Sequence, residues 1–245
     1  MTALGVQLYS VRDDIGPGRL DKTLRRLSAM GFTHAEPYDI VTDPRGLAAA
    51  LRRNDLRATT AHAKITEFDQ DEILDAAEIL GVTTVIVPWV HPAVFTVRDR
   101  IERFAAAVNS AAEQAAKRGV RVGYHNHDFE FAQTVDGRPA YEVLVDLLDP
   151  AVVLEVDVYW AGVGGADVFD LLERLGDRVR FLHVVRDREP GNDRPVRGTD
   201  VTDRMPEVLA ATAIELPVVE VVAHNSDVFP LLLRNAAYFR ELVTT

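Results

Sequence analysis

The sequence contains no cysteine, which excludes disulfide cross-links, thiolate metal sites and cysteine nucleophiles. It also lacks an excess of positive charge: 27 Lys and Arg against 38 Asp and Glu give a net charge of −11. Nucleic acid and anionic membrane surfaces call for a basic face, so neither is an expected partner. No apolar run approaches the ~20 residues that a membrane span needs. The opening residues, Met1-Thr2-Ala3-Leu4-Gly5-Val6-Gln7, carry no basic stretch ahead of an apolar core. No secretory signal is therefore expected, and a cytoplasmic protein is the default. No Gly-x-Gly-x-x-Gly follows the first apolar run and no P-loop occurs anywhere, which argues against the open doubly wound sheets that bind nucleotides. No linker or shift in composition divides the chain, so residues 1–245 are expected to form one domain.

What the sequence does have is a large apolar fraction, 47% over 245 residues, arranged in short runs that alternate with helical periodicity. A chain of this size buries roughly 70–75% of its unfolded surface. Apolar runs occur at 4–9, 32–38, 56–62, 82–87, from 121 into His125-Asn126-His127, and at 152–157, 179–183 and 216–220. The run at 82–87 is so rich in β-branched residues that it reads as a fully buried strand. Between the runs, Leu20, Leu24, Leu27 and Met30 fall at helical spacing before Gly31. Further helices are expected from Pro44, over 71–80 with Gly81 as a stop, and over 97–117, 141–148, 167–175, 206–212 and 231–242. A polar loop at 186–202 carries the turn signal Pro190-Gly191-Asn192-Asp193. Eight strand–helix units in this length predict the α/β class and a (β/α)8 TIM barrel with parallel strands and right-handed crossovers.

In such a barrel the C-terminal strand ends converge on one pocket. His125, Asp157, His183 and Glu220 end the fifth to eighth runs, adjacent around the ring, and predict a shared metal site. Two imidazoles and two carboxylates suit Mn, Fe, Co or Zn; Mg remains on the list, although so nitrogen-rich a set favours it less. His127 shares a face with His125, and spacing alone does not decide which would be the ligand and which a proton carrier. Glu155 stands two residues before Asp157 and so points the same way, one layer deeper. It is either held by Arg or His partners or raised in pKa as an acid–base group. Asp128, Glu130 and Asp187 are expected to be solvated loop residues. Tyr9, Trp89 and Trp160 lie just past strand ends, where an aromatic face can stack on a sugar or cap the core. Glu36, His62 and Arg186 complete the candidate substrate contacts.

The chain resembles the sugar phosphate isomerase/epimerase (xylose isomerase-like TIM barrel) superfamily. The resemblance is carried by Gln-Leu-Tyr-Ser-Val-Arg at 7–12, Tyr-His-Asn-His-Asp-Phe-Glu-Phe at 124–131, and Asp-Val-Tyr-Trp at 157–160, together with His183 and Val219-Glu220. It implies a divalent metal held by Glu, Asp, His and Glu of the last four strands, with Asp157, His183 and Glu220 in the last three places. His125 stands where the first Glu is usual. The usual His-x-Lys-Asp reads His183-Val184-Val185-Arg186-Asp187 here, and Val222 stands where an acid is common.

These features lead to an expected enzyme, a metal-dependent isomerase or epimerase of a sugar or keto-sugar working through an enediolate. Glu220 or Glu155 would take the carbon-bound proton, with His125 or His127 returning or relaying it. Two other readings stay open: a metal-dependent lyase or hydrolase of keto-glycosides, and a catalytically degenerate carbohydrate-binding barrel. The superfamily's abasic-site endonucleases need a basic groove, which the net charge opposes. A small carbohydrate is the expected partner, and a homodimer is compatible with the sequence.

Overall fold

The computed structural model describes residues 3–186, 204–210, 212, 214–221 and 227–242. Eight strands form one parallel sheet: β1 (Gly5–Gln7), β2 (His34–Glu36), β3 (Thr60–His62), β4 (Thr84–Val87), β5 (Arg121–His125), β8 (Val153–Asp157), β9 (Val179–Val184) and β10 (Leu216–Val219). Between β5 and β8 lies a small hairpin of β6 (Thr134–Val135) and β7 (Arg138–Pro139). The sheet runs β2-β1-β10-β9-β8-β5-β4-β3. Its two ends meet where His34 bridges Arg57 and the His62 amide donates to the Pro37 carbonyl at 2.8 Å. The sheet is thus a nearly closed barrel, the expected (β/α)8 architecture.

Around the barrel lie α1 (Leu20–Ala29), α2 (Pro44–Arg53), α3 (Gln70–Leu80), α4 (Arg98–Ala116), α5 (Phe129–Ala132) and α6 (Ala140–Leu147). They are followed by α7 (Val158–Gly164), α8 (Val168–Leu175), α9 (Met205–Ala210) and α10 (Phe229–Leu242). Local chemistry explains several starts. Asp43, Asp69 and Asp167 each accept backbone N–H bonds at the first turn of α2, α3 and α8. Gly81 closes α3 in the left-handed region at φ 76°.

The expected strands are all present, most of them shorter than the apolar runs because buried residues such as Leu4 flank the ladder, while β9 extends one residue past its run to Val184. Besides short 3-10 turns at Leu8–Asp14, Pro92–Thr96 and Gly176–Arg178, the helical turn α5, the hairpin after it, and α7 directly after Asp157 were not expected. The four-residue α5 and the two-residue strands are too short to repeat a period, and the seven-residue α7, Val-Tyr-Trp-Ala-Gly-Val-Gly, has no polar face to set one off. The expected turn at 190–193, together with Asp187 and Val222, lies outside the described residues.

Inside the barrel the lower layer is apolar, with Ile86, Val153, Phe181, Leu216 and Val218 in one cluster. Alternation along each strand then lifts the polar residues to the C-terminal end. Register places His125 beside Glu155 and Asp157 beside His183. Gly123 is the small residue this packing requires on β5, since an added Cβ would stand 2.5 Å from the Ile86 Cδ1.

At the opposite end, Arg121 of β5 donates two hydrogen bonds to Glu215 at 2.8 and 2.7 Å, and Arg180 of β9 adds one at 2.8 Å. The Arg121 bond holds the Glu215 carboxyl down at about 2, from a usual 4.5. A folded-state pKa below the unfolded one contributes stability above pH 4.5 that is lost as the pH falls towards 2. Glu215→Gln should therefore cost about 1 kcal/mol at pH 7, discounted for the half-exposed pair. In urea titrations the gap between wild type and variant should narrow below pH 4.5; a gap independent of pH would contradict the assignment.

Candidate metal centre

Four carboxylates and four imidazoles meet where the strands end. Glu36 (β2), His62 (β3), His125 (β5), Glu155 and Asp157 (β8) and His183 (β9) are all buried, with His127 and Glu220 just past their strands and partly exposed. His183 is the hub. Its Nδ1 lies 3.1 Å from Glu220 Oε2, and its Nε2 lies 2.8 Å from Glu36 Oε1 and 3.2 Å from Glu155 Oε2. His62 Nε2 lies between Glu155 Oε2 at 2.7 Å and Glu36 Oε1 at 3.1 Å. Gln7 steadies the floor by donating to Glu36 Oε1 at 2.8 Å.

Ring and strand geometry is held by amide groups. Asn126, between the two histidines, accepts from the Asp157 N–H at 3.0 Å and donates to the Asp157 carbonyl at 3.2 Å. It clamps the end of β5 to the end of β8 past their last ladder bond. Asp157 also accepts the Trp160 N–H at 2.8 Å and so starts α7. Ser10 reaches across the barrel mouth to accept the Val221 N–H at 2.9 Å beside Glu220.

Glu130 corrects the expectation of a solvated loop residue. It is fully buried, accepts from the Tyr124 hydroxyl at 2.7 Å, and accepts the His127 backbone N–H at 2.9 Å. The helical turn α5 swings it inward, and burial raises its carboxyl to about 7 against the Tyr124 bond. Asp128 is half-buried.

The electrostatics are those of charge held out of water. Burial and the neighbouring imidazoles push His125 well below its usual range, and burial takes His127 down to about 4. Burial also depresses His62, but Glu36 and Glu155 overcome it and carry the ring to about 9. Burial raises Asp157 to about 7, against the pull of His183. For Glu220 burial is outweighed by the bond and charge of His183, which keep it below the usual carboxylate range.

The donor set fits a divalent cation. One ligand atom from each of His125, Asp157, His183 and Glu220 lies within 4.8 Å of the others, and His62, His125, Glu155 and His183 make a second, deeper set sharing two members. Of eight buried side-chain polar atoms without a hydrogen-bond partner among the described residues, four belong here: Glu36 Oε2, Glu155 Oε1, His125 Nδ1 and His127 Nδ1. Of the residues that carry these atoms, His125 belongs to both sets and Glu155 to the deeper one, and a cation among these groups would satisfy ligand atoms that the fold leaves open.

Above the cluster opens a pocket of about 650 Å³. His62, His125, His127 and Glu220 reach its wall together with Tyr9, Trp89 and Trp160, as expected from their places past strand ends. Tyr38, Asp39 and Lys64 line it as well; the sequence reading missed them because nothing in their spacing marks a loop as facing inward. Asp157 and His183 lie beneath the wall.

Three candidates sit elsewhere. Glu36 and Glu155, 1% and 0% exposed, are consumed by imidazole partners below the floor and do not line the pocket. For Glu155 the reading as a group held by histidines is the one the geometry gives. Arg186 is exposed and stacks on Tyr238 of α10 with its guanidinium carbon 4.7 Å from the ring centre, while Asn235 takes its backbone N–H at 2.7 Å. Attachment to the outer helix draws it away from the pocket lining.

With this geometry, residues 24–208, roughly three quarters of the chain, match the family of xylose isomerase-like TIM barrels. The chain belongs to that family. No curated protein matches the sequence. Among solved structures, a sugar phosphate isomerase/epimerase from Parabacteroides distasonis is 23% identical with a TM-score of 0.81, over 98% of this chain and 93% of that one. A xylose isomerase-like TIM barrel protein from Mycobacterium smegmatis, in complex with magnesium, is 15% identical with a TM-score of 0.69 over 100% and 97%. A 3-keto-D-glucoside 4-epimerase from E. coli is 18% identical with a TM-score of 0.69 over 98% and 100%. At these identities the likeness is one of fold.

If the four strand-end groups hold a cation, Mn²⁺ or Co²⁺ at about 100 times its dissociation constant should add about 2.7 kcal/mol. That is a rise of roughly 5–10 °C in melting temperature for a domain of this size. His183→Asn and Glu220→Gln should each abolish most of the rise, as read by calorimetry; an undiminished rise in both variants would rule the set out.

Proposed function

We propose that this protein is a metal-dependent isomerase or epimerase of a sugar or keto-sugar. The observation that carries the reading is the meeting of His125, Asp157, His183 and Glu220 within 4.8 Å of one another at the floor of a pocket that His127 and Glu220 also face. Family membership and the epimerases among the structural neighbours support the same class.

His125, Asp157, His183 and Glu220 would hold the cation. Held there, a divalent cation would supply Lewis acidity, which acidifies the hydroxyl-bearing carbon next to the carbonyl. Glu220 is the base that meets the substrate: it reaches the pocket wall and its carboxylate is kept ionised by His183 at 3.1 Å. His127, held neutral by burial, donates to the substrate oxygen on which charge develops and relays a proton between oxygens. Its ring is fixed by stacking on Phe129 at 5.5 Å and its backbone by Glu130. Glu155 and Glu36 act through His62 and His183 as positioning groups below the floor.

Protein loaded with Mn²⁺ or Co²⁺ should exchange solvent deuterium into at least one member of a panel of ketoses and 3-keto-sugars, read by NMR. Glu220→Gln should slow that exchange by about 10²-fold or more. Absence of exchange with every compound, from metal-loaded wild type, would overturn the reading.

A further inference from the structure

The pocket has two chemically different halves. The polar half is formed by His62 at the end of β3, His125 and His127 at the end of β5, and Glu220 just past β10. The other half comes from the loops and helix after β1–β4, and much of it is apolar: Tyr9, Tyr38, Ile40, Val41, Phe68, Ile73 and Trp89 line it, with Asp39, Lys64 and Glu72 among them. Six large apolar or aromatic side chains are exposed among the described residues, and four of them, Tyr9, Val41, Phe68 and Trp89, stand on this one rim. Phe68, 66% exposed, is the most accessible of all. Singly scattered apolar residues are ordinary on a surface; four gathered around one concavity mark a binding surface.

A sugar alone leaves this lobe unused. The cavity holds about 650 Å³, in the ~300–1,000 Å³ range that encloses drug-sized ligands and several times what one sugar ring displaces. Because lobe and floor are one continuous space, an occupant that fills both must be polar at one end and apolar at the other. Aromatic side chains make up much of the lobe's wall, which suits a flat group: Tyr9, Tyr38, Phe68 and Trp89 line it, and the Tyr9 and Tyr38 rings meet edge-on at 5.3 Å. Lys64 stands over the Trp89 ring, its ammonium 5.5 Å from the ring centre, and pairs with Glu67 at 3.3 Å.

We infer that the substrate is a sugar or keto-sugar carrying a flat apolar substituent, an aryl glycoside, whose aryl group occupies the lobe formed by Val41, Phe68 and Trp89 while its sugar faces His127 and Glu220. This rests on the reading of the floor as a sugar-transforming site. The substituent supplies binding energy remote from the reacting carbon, which is how a shallow sugar site gains selectivity.

The test is calorimetric titration of the Mn²⁺-loaded full chain with matched methyl and phenyl glycosides of 3-keto-glucose and of 3-keto-galactose, with sedimentation of the same samples. The phenyl member of a pair should bind at least about tenfold more tightly, and Phe68→Ala and Val41→Ala should each shrink that ratio towards one. Equal binding of methyl and phenyl members overturns the inference and leaves the proposed function standing. Absence of binding by both members of both pairs overturns both. A dimer that Phe68→Asp dissociates would also overturn it, by giving the rim to a second copy of the chain.

Discussion

His183 makes contact with three carboxylates from three other strands, through both of its ring nitrogens, in a place closed to water. Everything else about the upper barrel follows from the need to keep that arrangement neutral. Buried carboxylates are costly unless paired, and here Glu36, Glu155, Asp157 and Glu220 are paired with imidazoles and amides while Glu36 repels Glu155 and Glu220 repels Asp157. Protons on His62 and His183 answer part of the demand, and the unpartnered oxygens of Glu36 and Glu155 show that part of it is left over. A divalent cation is the natural complement of such a cluster.

The fold delivers this cluster by separating tasks along the barrel axis. An apolar layer around Phe181 fills the lower interior, and the Arg121–Glu215–Arg180 group seals the strand starts. Above it, alternation turns every second side chain of β2, β3, β5, β8 and β9 into the polar floor. Amide side chains then finish what strand ladders cannot, with Gln7 holding Glu36 and Asn126 tying β5 to β8. Function is confined to strand ends and the loops beyond them, as the barrel architecture favours.

The architecture and much of the floor were legible in the sequence, because strand-end acids and histidines on consecutive strands have one place to converge. His125, Asp157, His183 and Glu220 are together, and His62 and the two tryptophans are at the pocket. Depth was harder to read. Glu36 and Glu155 obey the same alternation as Asp157, yet sit where imidazoles consume them, and one-dimensional spacing carries no measure of how far a side chain lies from the mouth. Glu130 was misread because its burial depends on a single helical turn, α5, too short to leave a period. Arg186 was placed by its neighbour His183 in sequence, whereas its stacking partner Tyr238 lies 52 residues away along the chain. The apolar lobe was legible only in part: Tyr9 and Trp89 stood out as aromatics past strand ends, whereas Val41 and Phe68 lie in loops whose spacing marks no inward face.

The central claim is that one cation is gripped by four strand-end groups, and anomalous diffraction from crystals soaked in Mn²⁺ tests it most directly. The account expects a single strong anomalous peak within about 2.5 Å of donor atoms from His125, Asp157, His183 and Glu220. A barrel that takes up no manganese, or a peak held by His62 and Glu155 with Asp157 and Glu220 out of reach, would contradict it.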